Sequence, residues 1–274
     1  MKITNLYHNN DIKKLKKNEV FVFGSNLAGN HAGGAAKFAA DKFGAEDGIG
    51  EGMTGKCYAY PTLTADMRKL TRDERKAVHL RFVNFAYANP KMTFYLTKVG
   101  CGIAGYEEEE VKEIATMCLP PNVIIPEGWH RRLVKTFADE YRSQHDSSEW
   151  KLGEWREVKG SVTLCGNGFH ASQNFGEAFV YVNPDSIGIV EVDGDNDIES
   201  DKEAWERMRL IKKIEDAELV ANKVRYSMQM AVLPLFEDVV KDDDRPRKAN
   251  EWLWKLIKFD DPKYVETIAI LEEK

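Results

Sequence analysis

An excess of positive charge is missing from this chain. Its 39 lysines and arginines stand against 45 aspartates and glutamates, a formal charge of −6. A large nucleic-acid footprint needs a basic face, so no nucleic-acid partner is expected. Long apolar runs are missing too, and none approaches the ~20 residues that span a bilayer. The opening residues, Met1-Lys2-Ile3-Thr4-Asn5, lack the apolar core of a signal peptide, so no membrane partner is expected. The four cysteines (Cys57, Cys101, Cys118 and Cys165) are scattered, with no C-x-x-C spacing. That scatter offers neither a disulfide framework nor a zinc cage, and it points to a cytoplasmic protein with reduced thiols. There is no internal repeat and no low-complexity tract, and no motif calls for a cofactor or a metal.

What is present is glycine, in two dense stretches. The first runs Phe21-Val22-Phe23-Gly24-Ser25-Asn26-Leu27-Ala28-Gly29-Asn30-His31-Ala32-Gly33-Gly34-Ala35-Ala36. The second is Val99-Gly100-Cys101-Gly102-Ile103-Ala104-Gly105-Tyr106. Each follows an apolar run that reads as a buried strand, 20–23 and 92–99, and each leads into a helical pattern. Glycine lets a backbone approach a ligand, and free N–H groups at a helix start point at an anion. Two such units in one domain predict two loops that close on a diphosphate from either side.

The rest of the first half alternates in the same way. Residues 2–7 suit a short edge strand. Asp11 suits a helix N-cap before 12–17, whose lysines form a solvated face. A helix through Phe38 ends near Phe43-Gly44, and 46–55 reads as a third loop at the pocket rim. Residues 56–61 read as a strand with Tyr58 and Tyr60 on one face. Thr71-Arg72-Asp73-Glu74 is a capping box opening a helix with Val78, Phe82, Phe85 and Ala86 at helical spacing. Pro90 stops that helix. A helix to Cys118 and a strand at 123–125 follow. Strands alternating with helices predict an α/β domain with a largely parallel or mixed sheet.

The run Asn10-Asp11-Ile12, the strand end Gly24-Ser25-Asn26-Leu27, the pair Gly33-Gly34 and the loop Gly102-Ile103-Ala104-Gly105-Tyr106 resemble macro domains, the ADP-ribose-binding α/β family. The resemblance covers roughly residues 1–126. It implies a mixed sheet flanked by helices and an ADP-ribose-type nucleotide as ligand. It implies that Asp11, ahead of Ile12, meets the adenine, and that Asn26 sits by the distal ribose. Asn30 through Ala35 correspond to the first ligand loop and Gly102 to Tyr106 to the second, with Gly100 and Cys101 leading into it. The strand end reads FGSN rather than NAAN. The first loop carries Asn30-His31 in place of an acidic residue, and the second runs into Glu107 rather than proline. The branch is similar to uncharacterised bacteriophage-encoded proteins.

Each of these residues also has a plain structural reading. Asp11 is then a helix cap, Asn26 a brace for its loop, and His31 a loop histidine with no catalytic part. Cys101 fits a tight loop and has no histidine near it in sequence. Tyr106 stacks on a ribose or base, as the resemblance favours, or it caps the core. The expected domains are 1–142, macro-like, and 150–274, a smaller α+β accessory domain with a helical C-terminus. Ahead of the latter, 129–141 is expected to be a helix and 142–148 a linker. Strands fall at 154–158, 161–165 and 187–192, and helices at 176–181, 201–214, 215–240 and 245–259. His170 braces a loop there, in an order of elements that echoes the NAD-holding histidine of ADP-ribosyltransferases. The expected function is binding of an NAD-derived nucleotide, to sequester or sense it, as in a phage counter-defence protein. Hydrolysis of an ADP-ribosyl linkage and a ligand-free structural role are the alternatives. Homo-oligomerisation is left open.

Overall fold

Strict alternation in Val20-Phe21-Val22-Phe23 sends valines to one side of a strand and phenylalanines to the other, and helices cover both sides. The computed structural model describes residues 1–9, 11–181, 185–199, 202–214 and 217. In chain order the first unit holds β1 (Tyr7–His8), β2 (Glu19–Asn26), α1 (Gly34–Phe43), β3 (Gly52–Thr54), β4 (Cys57–Leu63), α2 (Arg72–Ala88), β5 (Thr93–Leu96), α3 (Glu108–Ala115) and β6 (Val123–Pro126). The sheet order is β1-β6-β5-β2-β4-β3. Every pairing is parallel except β3 with β4, so the fold is α/β with a mixed six-stranded sheet.

Val20, Val22, Tyr58, Tyr60, Phe94 and Leu96 pack with Val78, Phe82 and Ala86 of α2 and Val111 and Ala115 of α3. Phe21, Phe23, Cys57 and Ala59 pack with Ala36, Ala39 and Phe43 of α1. The α2 start is a complete capping box, with Glu74 N–H donating to Thr71 Oγ1 at 3.2 Å and Thr71 N–H donating to Glu74 Oε2 at 2.6 Å. Such a reciprocal pair satisfies two donors that the helix itself leaves over.

Inside this core His79 is buried, its Nε2 donating to the Met117 carbonyl at 2.8 Å. Burial pushes its pKa down to about 4, with the Met117 bond opposing the shift. A folded-state value below the unfolded ~6.5 means that the native core favours the neutral ring. Stability is therefore fully present above ~6.5 and is lost as pH falls toward about 4. His79→Gln is expected to flatten the decline of the denaturant midpoint across that window. An unchanged slope would show that His79 does not control it.

The second unit contains β7 (Arg131–Phe137), β8 (Trp155–Glu157), β9 (Phe169–Ala171), α4 (Phe175–Tyr181), β10 (Ser186–Ile198) and β11 (Glu203–Ile214). The boundary between the units falls after Arg132, and 195–198 belong with the first unit. The strand order is β7-β10-β11-β8, with β9 also pairing β11. Its described part is thus a second sheet with one short α-helix and a 3₁₀ turn at Asp139–Tyr141.

Several expected elements differ. Residues 129–141 form no α-helix: 131–137 is strand and a 3₁₀ turn follows at Asp139–Tyr141, because Arg131 and Arg132 are buried rather than facing solvent. Arg131 donates to the carbonyls of Leu119, Pro120 and Val123, and Arg132 pairs with Glu109 at 2.6 Å. Residues 203–214 are strand, not helix. Met208 and Leu210 turn inward while Arg207 and Arg209 pair with Asp193 and Glu191 of β10. Residues 161–165 form a loop, and 12–17 form no helix, so Asp11 caps none. Of the edge strand expected at 2–7 only Tyr7 pairs with β6, joined by His8 just beyond it. The helices expected at 215–240 and 245–259 lie outside the described residues, apart from Ala217.

Candidate functional site: a cleft at the ends of three parallel strands

Strands β5, β2 and β4 run parallel side by side, so their C-terminal ends open on a common edge where the chain leaves the sheet. In open α/β sheets that edge is where ligands bind. Here it holds a cleft of about 990 Å³, lined among others by Asp11, Ile12, Gly24, Asn26, Gly33 and Gly34. Gly100, Gly102, Ile103 and Ala104 line it from the opposite side. The volume lies at the upper end of the roughly 300–1,000 Å³ usual for small-molecule sites.

One wall is the start of α1. Its N-cap is Gly33, which has no side chain to cap the helix, and no acidic residue stands in the first turn. Lys37 N–H is the first to bond back, to Gly33 O at 3.1 Å. Among the described residues the N–H groups of Gly33, Gly34, Ala35 and Ala36 have no partner in the protein. All four residues line the cleft. They are the orphan donors of a helix start, reinforced by the helix dipole.

The facing wall is the loop after β5. Gly105 N–H donates to Gly102 O at 2.9 Å and Tyr106 N–H to Gly100 O at 3.1 Å. Among the described residues the N–H groups of Gly102, Ile103 and Ala104 have no partner in the protein. Ile103, 69% exposed, reaches the first wall: its Cδ1 lies 2.9 Å from where a Cβ on Gly33 would be. Gly100 has φ +82°, and a Cβ there would lie 2.9 Å from Tyr106 Cδ2. Gly102 has neither constraint, with no atom within 4 Å of its Cβ position.

Charge is sparse. The ionisable groups in the lining are Asp11 and Lys98. Lys98 is paired with Glu108 Oε1 at 2.8 Å, and this ammonium, helped by Trp129 Nε1, holds the Glu108 carboxyl below its usual range. Asp11 is exposed and pairs with Lys13 at 2.7 Å, which raises the Lys13 pKa. An anion entering the cleft therefore meets backbone donors rather than an unpaired cation.

Of the sequence-predicted residues, Asp11, Ile12, Asn26, Gly33, Gly34, Gly100, Gly102, Ile103 and Ala104 line the cleft. Asn26 also braces its loop, with Nδ2 donating to Asn30 O at 2.8 Å and Oδ1 accepting from Asn30 N at 3.2 Å. His31 does not line the cleft. It is buried edge-on against Phe23, at 5.1 Å between centroids, and its ring nitrogens have no partner among the described residues. Cys101 lies outside the lining, and burial raises its thiol pKa, which disfavours a nucleophilic thiolate. Gly105 is outside as well, its carbonyl accepting from Lys69 Nζ at 2.5 Å.

Tyr106 is the main displacement: it is a core residue, not a stacking platform in the cleft. Its hydroxyl lies 3.0 Å from Thr62 O and 2.9 Å from Leu70 O. Lys69 and Arg75 lie over its ring at 4.8 and 4.6 Å. Phe38, Thr62, Met67 and Lys98 also line the cleft, and none of them stands out in the sequence as a site residue. The one faint sequence signal is Phe38, a large aromatic within the alanine-rich run of α1. Thr62 and Lys98 reach the site through strand order, which no local pattern encodes.

With this geometry in view, comparison with known proteins adds little about the cleft. A family described as a domain of unknown function, DUF7666, matches residues 132–222, outside the cleft. No curated protein matches the chain. Among solved structures, a similar chain is a protein of unknown function from Bacteroides thetaiotaomicron. It shares 16% identity at a TM-score of 0.34, over 44% of this chain and 96% of that one. Among the described residues no helix is long and apolar enough to cross a membrane, and no group of three or more potential ligand side chains could hold a metal.

Proposed function

We propose that the cleft binds an ADP-ribose-type, NAD-derived nucleotide and holds it intact, sequestering or sensing it. The observation that carries this reading is the pair of unused backbone donor sets, at Gly33 to Ala36 and at Gly102 to Ala104, in one cleft. Two donor sets on opposite walls suit a diphosphate, which presents acceptor oxygens along its length. Phe21 and Phe38, with ring centroids 5.7 Å apart, and Ile12 give an apolar surface near Asp11 for a nucleobase. The resemblance of the motifs to macro domains supports the same ligand. Binding is favoured over hydrolysis because the Asn26 amide is engaged at both ends by the Asn30 backbone. That amide is the group a hydrolytic reading uses to place water.

The test is calorimetry of the full chain with ADP-ribose, NAD and cyclic ADP-ribose variants, followed by mass analysis of the recovered ligand. Binding with intact ligand is the expected outcome. Cleaved ligand would replace the binding reading with the hydrolytic one, and absence of heat with all of them would overturn both. Within this series Asp11→Ala is expected to weaken ADP-ribose binding by about 1.5–3 kcal/mol, as for a hydrogen bond to a charged group. Unchanged affinity in the folded variant would remove the adenine contact from the scheme.

A further inference from the structure

Away from the cleft, two nucleophilic side chains of the second unit are in contact. Lys202 Nζ lies 3.2 Å from Cys165 Sγ. Cys165 is exposed, whereas Cys57 and Cys118 are buried and Cys101 is half-buried. Burial pushes the Cys57 thiol up to about 12 and raises that of Cys101, so Cys165 is the thiol most open to an oxidant.

The contact is held from both sides. Thr163 N–H donates to Asn167 O at 2.8 Å, and Gly166 N–H to Thr163 O at 3.2 Å. The Asn167 amide bonds Lys159 O at 2.9 Å and Ser161 O at 3.1 Å. Cys165 itself has φ +55°, and its N–H donates to His170 Nε2 at 3.0 Å. Burial, then the Lys135 charge, lowers the His170 pKa, which keeps the ring neutral and able to accept. On the other side β9 and β11 are antiparallel with His170 opposite Ala204. Lys202, two residues before Ala204, falls on the same side of that ribbon as His170. Lys202 also pairs with Glu199 at 3.6 Å, and its side chain is only 22% exposed.

We propose that Cys165 and Lys202 form a covalent sulfur–nitrogen crosslink under peroxide, a redox-sensitive modification that ties the 163–168 loop to the start of β11. In the first step the Cys165 thiolate attacks one peroxide oxygen. The O–O bond breaks, sulfur is oxidised by two electrons to the sulfenic acid, and the other oxygen leaves as hydroxide, which takes up the proton the thiol had released and becomes water. In the second step the Lys202 ammonium has released a proton to solvent, and the Nζ lone pair attacks sulfur. The S–N bond forms, the S–O bond breaks, and hydroxide leaves with an amine proton as water. The second step is redox-neutral. A sulfenic acid is normally captured by a neighbouring thiol or nitrogen. Here the Lys202 Nζ already stands in contact with that sulfur.

The experiment treats the full chain with hydrogen peroxide and maps peptides by mass. The expected product joins the Cys165 and Lys202 peptides, weighs two hydrogens less than their sum, and is cleaved by a thiol reductant. Cys165→Ser and Lys202→Arg are each expected to lose it. Arginine keeps the cation, and circular dichroism of Lys202→Arg guards against a folding effect. In that variant Cys165 is expected to run on to sulfinic acid. The proposal is overturned if the wild-type protein gives only sulfinic acid or an intermolecular disulfide at Cys165. It is equally overturned if Cys165 does not react, or if Lys202→Arg gives the same products as wild type.

Discussion

Gly102→Val is expected to abolish ADP-ribose binding while leaving the thermal midpoint of the protein unchanged. The residue lines the cleft, its φ is not in the left-handed region, and no atom lies within 4 Å of its Cβ position. A branched side chain therefore fits the folded chain and fills the space a ligand needs. Covering even one of the neighbouring N–H donors forfeits a hydrogen bond to a charged group, about 1.5–3 kcal/mol, or tenfold and more in affinity. Gly100 could not serve for this test, because its positive φ and the nearby Tyr106 ring would disturb the loop itself. His31→Ala should keep affinity within a few-fold, since that ring is not in the lining. Raising the salt concentration should also matter little, because the donors are backbone groups and the lining lysine is already paired. A charge-based site would behave in the opposite way, with steep salt dependence and sensitivity to the lysines at 13–17. Full-strength binding by a folded Gly102→Val protein would sink the two-loop site.

The largest effect on stability is expected from Phe82→Ala. Phe82 is fully buried, and its ring centroid lies 5.1, 5.7 and 5.8 Å from those of Tyr58, Tyr60 and Phe94. Truncation removes an aromatic ring from the seam between α2 and the sheet and leaves a void there against Tyr58, Tyr60 and Phe94. Such changes cost about 3–5 kcal/mol, a large part of the stability of a domain. Urea or guanidinium denaturation measures it directly. A loss under about 1 kcal/mol would mean that α2 does not pack on β4 and β5 through this residue.

Much of the first unit is legible in the amino-acid sequence. The period-two alternation of 20–23 and 56–61, the capping box at Thr71 and the helical spacing of Val78, Phe82 and Ala86 are local signals, and each places its element. The second unit is legible in part: α4 lies where expected, and β10 covers the alternating 187–192. The strands β7 and β11 carry patterns that read as helices. Arginines look like a solvent face to any reading that lacks their partners. The carbonyls that receive Arg131 and the carboxylates that receive Arg207 and Arg209 lie elsewhere in the chain.

For the cleft the division has a similar cause. The sequence alone determined that two glycine loops each join a strand to a helix, because glycine content and the change from period two to period 3.6 are properties of neighbouring residues. No lysine or arginine stands within either loop, so neither loop by itself offers a fixed cation. Only the tertiary structure decided which loop residues face inward. The parallel order β5-β2-β4 brings the loops to one edge and adds Thr62, Met67 and Lys98 to the lining. The Thr62 and Leu70 carbonyls draw the Tyr106 hydroxyl into the core, where burying the ring and satisfying its polar end are met together. Strand order and burial depend on contacts between distant segments, and those arise only when the chain is folded.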